Sequence, residues 1–198
     1  MTKQKRQLGN FQERDDFAPG WYVIAASQDV GAARPKPLLL HDVPLVTFRD
    51  ADGKTVALLD RCSHRNAPLS EGRIVEGNIQ CHYHGWQFDG AGSCRAVPGF
   101  CGTPEHPGRR VPSFACRESQ GWVWVYSEPD VEPPNEPYRI PCADEPGYLT
   151  LREHIEMPGP LDAVAENALD VPHTAFVHAG LFRKNQDRRP IEVVVRAL

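Results

Sequence analysis

The sequence predicts a mainly β protein: a small antiparallel sandwich or barrel, followed by the incomplete start of an α+β unit. Three observations carry this reading. Between residues 17 and 128 the apolar residues fall in short runs of β-branched and aromatic side chains, with glycine or proline at close intervals. From 129 to 147 six prolines interrupt the chain. Beyond 148 one helical segment stands between two extended ones.

The elements follow in order. Residues 1–16, MTKQKRQLGNFQERDD, are polar and read as an arm ahead of a first domain spanning 17–128. WYVIAAS (21–27) reads as a strand, and PLVTFRDADGKTVALLD (44–60) as a hairpin turning at Asp52-Gly53. RIVEGNIQC (73–81) reads as two short strands about Glu76-Gly77-Asn78, and QGWVWVYS (120–127) as a further strand. The proline-rich stretch 129–147 resists both helix and central strand, so a semi-rigid linker is expected there. In the second domain, 148–198, YLTLREHIEM (148–157) and RPIEVVVRAL (189–198) read as strands. PGPLDAVAENALDVPH (158–173) reads as a helix that opens after Pro158-Gly159-Pro160 and falters at Pro172. Two strands and a helix cannot enclose a core of useful size, so this domain is expected to be incomplete.

Composition narrows the function. The chain has 198 residues, 40% apolar and 24% charged, with a net charge of −4. No Lys/Arg-rich run is present, which argues against nucleic-acid binding. The longest apolar runs, WYVIAA and GWVWVY, are too short to span a bilayer. No apolar core follows the polar N-terminus, so a secretory signal is not expected and a cytoplasmic location is. In a reducing compartment the six cysteines are expected to be ligands or buried thiols rather than disulfides. Cys94, Cys101, Cys116 and Cys142 have no neighbouring histidine and are expected to be plain small side chains. His41, His106 and His154 lack a ligand-spaced partner and read as surface or hydrogen-bonded residues. His82 reads as exposed, or as hydrogen-bonded behind a ligand.

The strongest chemical signal is RCSHRNAPLSEGRIVEGNIQCHYHGWQFDG. Cys62-x-His64, sixteen intervening residues and Cys81-x-x-His84 make two compact pairs on separate loops, each with one thiolate and one imidazole. Zinc accepts two cysteines and two histidines, but zinc fingers pair like with like. Mixed pairs suit a two-iron centre in which one iron takes both cysteines and the other both histidines, the ligand set of a Rieske [2Fe–2S] cluster.

This stretch, CSH…CHYHGWQFDGAGSCRAVPG, resembles the Rieske domain of ring-hydroxylating and related Rieske non-haem iron oxygenases. The resemblance covers about residues 17–198 and implies that Cys62 and Cys81 hold the inner iron, His64 and His84 the outer one. Respiratory Rieske proteins carry an extra cysteine in each loop; Ala67 and Tyr83 stand at those positions here. The sequence is therefore similar to the lower-potential oxygenase and ferredoxin branch.

A second cluster, ENALDVPHTAFVH (166–178), contains Asp170, His173 and His178. On a regular helix, residues i and i+5 are rotated by about 140°, so the two imidazoles would not converge without a break, which Pro172 can provide. The segment matches the D-x-x-H-x-x-x-x-H pattern that opens the catalytic domain of Rieske oxygenases. Its short ENxxD spacing is like that of the branch including pheophorbide oxygenase. By that resemblance His173 and His178 bind a mononuclear Fe(II), and Asp170 bridges His173 to His84 of a neighbouring subunit in a homotrimer. The third ligand, a carboxylate, would come from a helix far downstream, and none of the acids present occupies that position. The fold implied for the second domain is helix-grip-like.

The function expected is therefore the oxygenase component of a Rieske system. Electrons from NAD(P)H would pass through a reductase, with or without a ferredoxin, to the cluster and then to Fe(II). With O2, that iron would hydroxylate or oxidatively demethylate an apolar or aromatic organic substrate. The alternative is a Rieske ferredoxin-like carrier with no oxygenase activity of its own. The proline-rich stretch and Asp170/His173/His178 favour the oxygenase, because a carrier has no use for them.

Overall fold

A computed structural model describes residues 18–151, 153, 155–178, 180 and 194. They divide into two units, one ending at Leu149 and one beginning at Thr150. The polar arm 1–16, His154 and all of 189–198 except Val194 lie outside the described residues.

The first unit is built from ten strands: β1 (Trp21–Ala26), β2 (Lys36–Leu40), β3 (Val43–Arg49), β4 (Thr55–Leu59), β5 (Arg73–Val75), β6 (Asn78–Gln80), β7 (Gln87–Phe88), β8 (Cys94–Ala96), β9 (Ser113–Ser119) and β10 (Trp122–Pro129). Six form one antiparallel sheet in the order β1-β10-β9-β4-β3-β2, and four form a second in the order β5-β6-β7-β8. The larger sheet curls until β1 comes near β2, so the architecture is an antiparallel sandwich approaching a barrel, as the sequence predicts. The strands expected at 21–27, 44–60, 73–81 and 120–127 are all present. Sequence reading passed over β2, β7, β8 and β9. Of these, β7 and β8 are only two and three residues long, too short for an alternating pattern to show.

Turn chemistry sets the register of both hairpins. In the β3–β4 turn the Asp50 carboxylate accepts from the amides of Asp52 and Lys54, at 3.0 and 2.9 Å, and Gly53 takes φ +77°. In the β5–β6 turn Glu76 and Gly77 both lie at positive φ, +50° and +76°, the combination that lets a two-residue turn match strand twist. The tips of the two hairpins meet, since a Cβ on Gly77 would sit 2.1 Å from the Ala51 backbone nitrogen.

The core lies between the sheets. Leu45, Val46 and Phe48 of β3, Ala57 and Leu58 of β4, Ile79 of β6 and Phe88 of β7 are fully buried, as are Leu69 and Val111 from the connecting loops. Cys62 and Cys81 belong to the same packed group. A clamp ties the edge of the sandwich together. The Arg49 guanidinium binds both carboxylate oxygens of Glu118, at 2.8 and 3.1 Å, and the carbonyls of Ser27, Val30 and Gly53.

The proline-rich stretch is docked along the first unit. The Trp21 indole donates to the Asn135 carbonyl at 2.8 Å, and the Gln120 side chain exchanges two hydrogen bonds with the Ile140 backbone. Arg117 pairs with Glu132 and Glu136 at 3.6 and 3.5 Å. The stretch forms neither helix nor strand beyond Pro129, its last part, 141–147, being a series of turns, and side-chain bonds hold it down.

In the second unit a helix, α1 (Leu161–Leu169), starts after Pro160, and a 3-10 turn follows at Val171–Ala175. The strand expected at YLTLREHIEM does not form among its described residues. No strand among the described residues pairs with it, and without a ladder its extended backbone has nothing to bond. Tyr148, Leu149, Leu151, Ile155 and Met157 are accordingly exposed.

Two stability predictions follow from this packing. Gly53→Ala, facing open space, should cost only its backbone strain, about 1 kcal/mol, whereas Gly77→Ala adds a collision with Ala51 and should cost more than about 3 kcal/mol. Urea denaturation midpoints of the two variants check the difference. Glu118 is held below the usual carboxylate range, first by the hydrogen bond from Arg49. The clamp therefore contributes above the pKa of an unfolded glutamate and is lost as pH falls through the lower folded value. Melting curves from pH 7 to 3 should show a steeper loss of stability in the parent chain than in Glu118→Gln, the part-exposed pair making a modest contribution.

Candidate metal centre

The two ligand-bearing loops come from different sheets and share one design. The first follows β4, and the second joins β6 to β7. In the first, the Cys62 amide donates to the Ala67 carbonyl at 2.8 Å and the Asn66 amide to the Cys62 carbonyl at 2.9 Å. In the second, the Cys81 amide donates to the Trp86 carbonyl at 2.8 Å and the Gly85 amide to the Cys81 carbonyl at 3.0 Å. Both loops thus close over the same span, and in both the fourth residue after the cysteine is left-handed: Asn66 at φ +60° and Gly85 at +71°. Asparagine and glycine tolerate that region best. Asn66 is a site residue that sequence reading missed, and its signal was the match in spacing to Gly85.

Further bonds fix the loops to the fold. The Asp60 carboxylate accepts from the Ser70 amide and hydroxyl, at 2.7 and 2.5 Å, closing the base of the first loop. Ser63, between the first ligand candidates, donates to the Arg109 carbonyl at 2.7 Å. Pro98 lies over the second loop, 3.0 Å from where a Cβ on Gly85 would stand.

These loops gather the four side chains as two pairs. Cys62 and Cys81 are both 2% exposed and close enough to influence each other's ionisation. Burial pushes the Cys62 thiol up to about 11, although the amides of His64 and Arg65 donate to its sulfur and work in the other direction. His64 and His84 stand edge to face with ring centroids 4.5 Å apart. The Nδ1 of His64 is buried and has no hydrogen-bond partner. Burial lowers the His64 pKa, with the charges of His84 and Arg65 acting in the same direction, so the ring stays neutral with a lone pair to offer.

This donor set fits a two-iron cluster. Two buried thiols need positive charge to ionise, and a buried neutral imidazole nitrogen needs an acceptor for its lone pair. Among the described residues no three His, Cys, Asp or Glu side chains gather as they would around one ion. A buried thiol pair and a separate imidazole pair fit thiols on one metal and imidazoles on another.

Cys94, Cys101, Cys116, His82 and His106 lie outside the two pairs. Cys94 is buried, Cys101 is exposed, and burial with the nearby Glu118 pushes the Cys116 thiol up to about 12. No disulfide involves any of the six cysteines. His82 is part-exposed, 3.5 Å from Glu71, and the His106 Nδ1 caps the short 3-10 turn at Pro107–Arg109 by accepting from the Gly108 amide.

In the second unit α1 stops at Leu169, where the Asp170 amide makes the last helical bond to Glu166 at 2.9 Å. The 3-10 turn, with Pro172 near its start, changes the rotation per residue. The His173 and His178 rings, which a continuous helix would turn apart, therefore lie with centroids 5.4 Å apart. The His173 Nδ1 is bonded to the Asp170 carbonyl, and an Asp170 carboxylate oxygen lies 3.6 Å away. With Nδ1 turned to the Asp170 carbonyl, Nε2 is the ring atom that would serve a ligand.

Comparison with known proteins agrees with this geometry. Residues 20–113 match the family model for the Rieske [2Fe-2S] domain. The chain is 33% identical over 178 residues to the oxygenase component of dicamba O-demethylase from Stenotrophomonas maltophilia, an alignment covering 88% of this chain and 52% of that protein. It is 34% identical over 186 residues to pheophorbide a oxygenase from Oryza sativa subsp. japonica, covering 86% of this chain and 35% of that protein. Dicamba monooxygenase bound to dicamba superposes with a TM-score of 0.73 at 33% identity, over 81% of this chain and 48% of that one. A form of that enzyme with non-heme iron and dicamba gives 0.59 at 36% identity, over 65% and 39%. The chain thus spans about half, or less, of the length of the relatives it matches. Residues 20–113 form a Rieske [2Fe-2S] domain, and the chain is similar to the N-terminal part of Rieske oxygenase subunits.

Proposed function

We propose that this chain carries the electron-delivering part of an oxygenase that inserts oxygen into an apolar or aromatic organic substrate. The observation that carries the reading is the sorting of four side chains into a buried thiol pair and an imidazole pair on two matching loops. Cys62 and Cys81 would hold the inner iron of the cluster, and His64 and His84 the outer one. His173 and His178 would contribute two ligands to a mononuclear Fe(II), a group named for the dicamba monooxygenase relative.

When bound, the cluster would supply single electrons and the mononuclear Fe(II) would supply O2 activation, in which O2, two electrons and two protons yield one inserted oxygen atom and one water. The chain's own residues prepare this. The core around Cys62 and Cys81 keeps water from the thiolate side, and the loop amides at His64 and Arg65 stabilise negative charge on the Cys62 sulfur. The exposed Tyr83 ring lies against His84, so the imidazole side is the solvent-facing side at which electrons would enter. Asp170 holds His173 through its carbonyl, and its carboxylate is positioned to orient the same ring. In a homotrimer that carboxylate would also reach His84 of a neighbouring subunit, shortening the electron path. The electrons would come from NAD(P)H through a reductase, with or without a ferredoxin. Hydroxylation or oxidative demethylation is the reaction type, the latter supported by the dicamba O-demethylase relative.

Two measurements test this. Purified chain should contain about two irons and two acid-labile sulfides from the cluster stoichiometry, with a Rieske EPR signal on reduction that Cys81→Ser or His84→Ala abolishes. Absence of sulfide from the parent chain sinks the cluster reading. Cobalt(II), titrated anaerobically as a spectroscopic substitute for Fe(II), should occupy a further site that His173→Ala and His178→Ala remove. Asp170→Asn should keep that site and weaken it by about 10- to 100-fold. Cobalt binding that ignores both histidines would exclude the mononuclear site.

A further inference from the structure

The geometry points to Trp86 as the residue that positions the His64 imidazole, an assignment that rests on His64 being a cluster ligand. Trp86 belongs to the second loop through its backbone and to the first through its ring. Its carbonyl accepts from the Cys81 amide at 2.8 Å, closing the second loop. Its indole lies flat against His64, with centroids 4.7 Å apart and planes within 1°. Behind it stands Phe88, a fully buried core residue, at 6.5 Å and 39°. One residue therefore connects a ligand of the first loop, the closure of the second and the rigid core.

A flat stack constrains the ring in a specific way. The imidazole has two torsions, and tilting it out of the indole plane separates the rings or drives them together. The His64 Nδ1 makes no hydrogen bond, so apart from the iron it would hold, which leaves the ring free to turn about that bond, nothing at that atom sets the ring plane. His84 has a different environment. Its aromatic neighbour Tyr83 is tilted by 40°, and Tyr83 is 61% exposed, so that ring has no core residue behind it. The two imidazoles of the pair are thus held unequally. Trp86 makes His64 the fixed member, and it covers a face of that ring that water would otherwise reach.

The bland alternative is that Trp86 only fills space beside the core. Replacement by flat and non-flat apolar side chains separates the two roles. In purified, cluster-loaded chain, Trp86→Leu should broaden the EPR lines of the reduced cluster, because His64 samples several orientations. It should also raise the midpoint potential, because water reaching the imidazole favours the more negative reduced form, and speed loss of the visible absorbance several-fold. Trp86→Phe, which keeps a plane, should restore most of the parent line shape and potential. A Trp86→Leu chain with two irons, two sulfides and parent EPR lines and potential overturns the proposal. If Trp86→Leu loses its cluster, Trp86→Phe and Trp86→Met decide between the roles, and equal spectra for these two also overturn it. Parent chain without sulfide is a different failure, that of the ligand reading itself.

Discussion

The site depends on one backbone device used twice. Each ligand loop is closed by a bond from the cysteine amide to the carbonyl five residues on, with a left-handed residue at the fourth place. The turn satisfies the polar groups of the loop internally, so the cysteine that begins it can sink into the core at no cost in unpaired amides. Because both loops turn alike, both thiols lie 2% exposed in one packed group, while the histidines stand outward of them. The division into an inner thiol pair and an outer imidazole pair is a consequence of loop geometry before any metal chemistry is considered.

The sandwich supplies what such loops lack, a fixed separation. One loop follows a strand of the larger sheet and the other joins two strands of the smaller, so their spacing is set by side chains packed between the sheets. Leu58, Ile79 and Phe88 lie in that layer, fully buried. The hairpin contact of Gly77 on Ala51 and the bonds from Asp60 to Ser70 pin the same region from outside the layer. On the proposed reading electron transfer would benefit from this rigidity, because a centre held so that it moves little on reduction would have little reorganisation to undergo.

Much of this was legible in the sequence, and what escaped has physical reasons. Cys62-x-His64 and Cys81-x-x-His84 announced two mixed pairs, since loop ligands lie close in sequence. The hairpins at Gly53 and Gly77 were readable because positive φ selects few residues. The strands β7 and β8 were not, since three residues or fewer carry no period. Trp86 read as part of a motif, but its stacking on His64 depends on a partner twenty-two residues earlier, which no local pattern encodes. YLTLREHIEM misled because alternation marks a strand only where another strand accepts its hydrogen bonds. The proline-rich stretch was recognisable as neither helix nor central strand, whereas its docking rests on side-chain bonds from Trp21, Arg117 and Gln120 that spacing does not reveal.

His64 and His173 differ in the ring nitrogen that would be left for a metal, and at His173 the backbone makes the choice. At His64 the Nδ1 is buried without a hydrogen bond. At His173 the Nδ1 is taken by the Asp170 carbonyl, one turn back in its own chain. On the proposed reading the first ring would therefore bind metal through Nδ1 and the second through Nε2. The break after Leu169 is what permits this: it brings His173 and His178 to one side and turns the Asp170 carbonyl towards the ring. A continuous helix would keep that carbonyl for a backbone amide four residues on and leave the imidazole tautomer unset. Pro172 has no amide hydrogen to offer, so the chain at Asp170 leaves the helix. The Asp170 carboxylate, near the same nitrogen but not needed to hold it, remains available for a partner outside the segment.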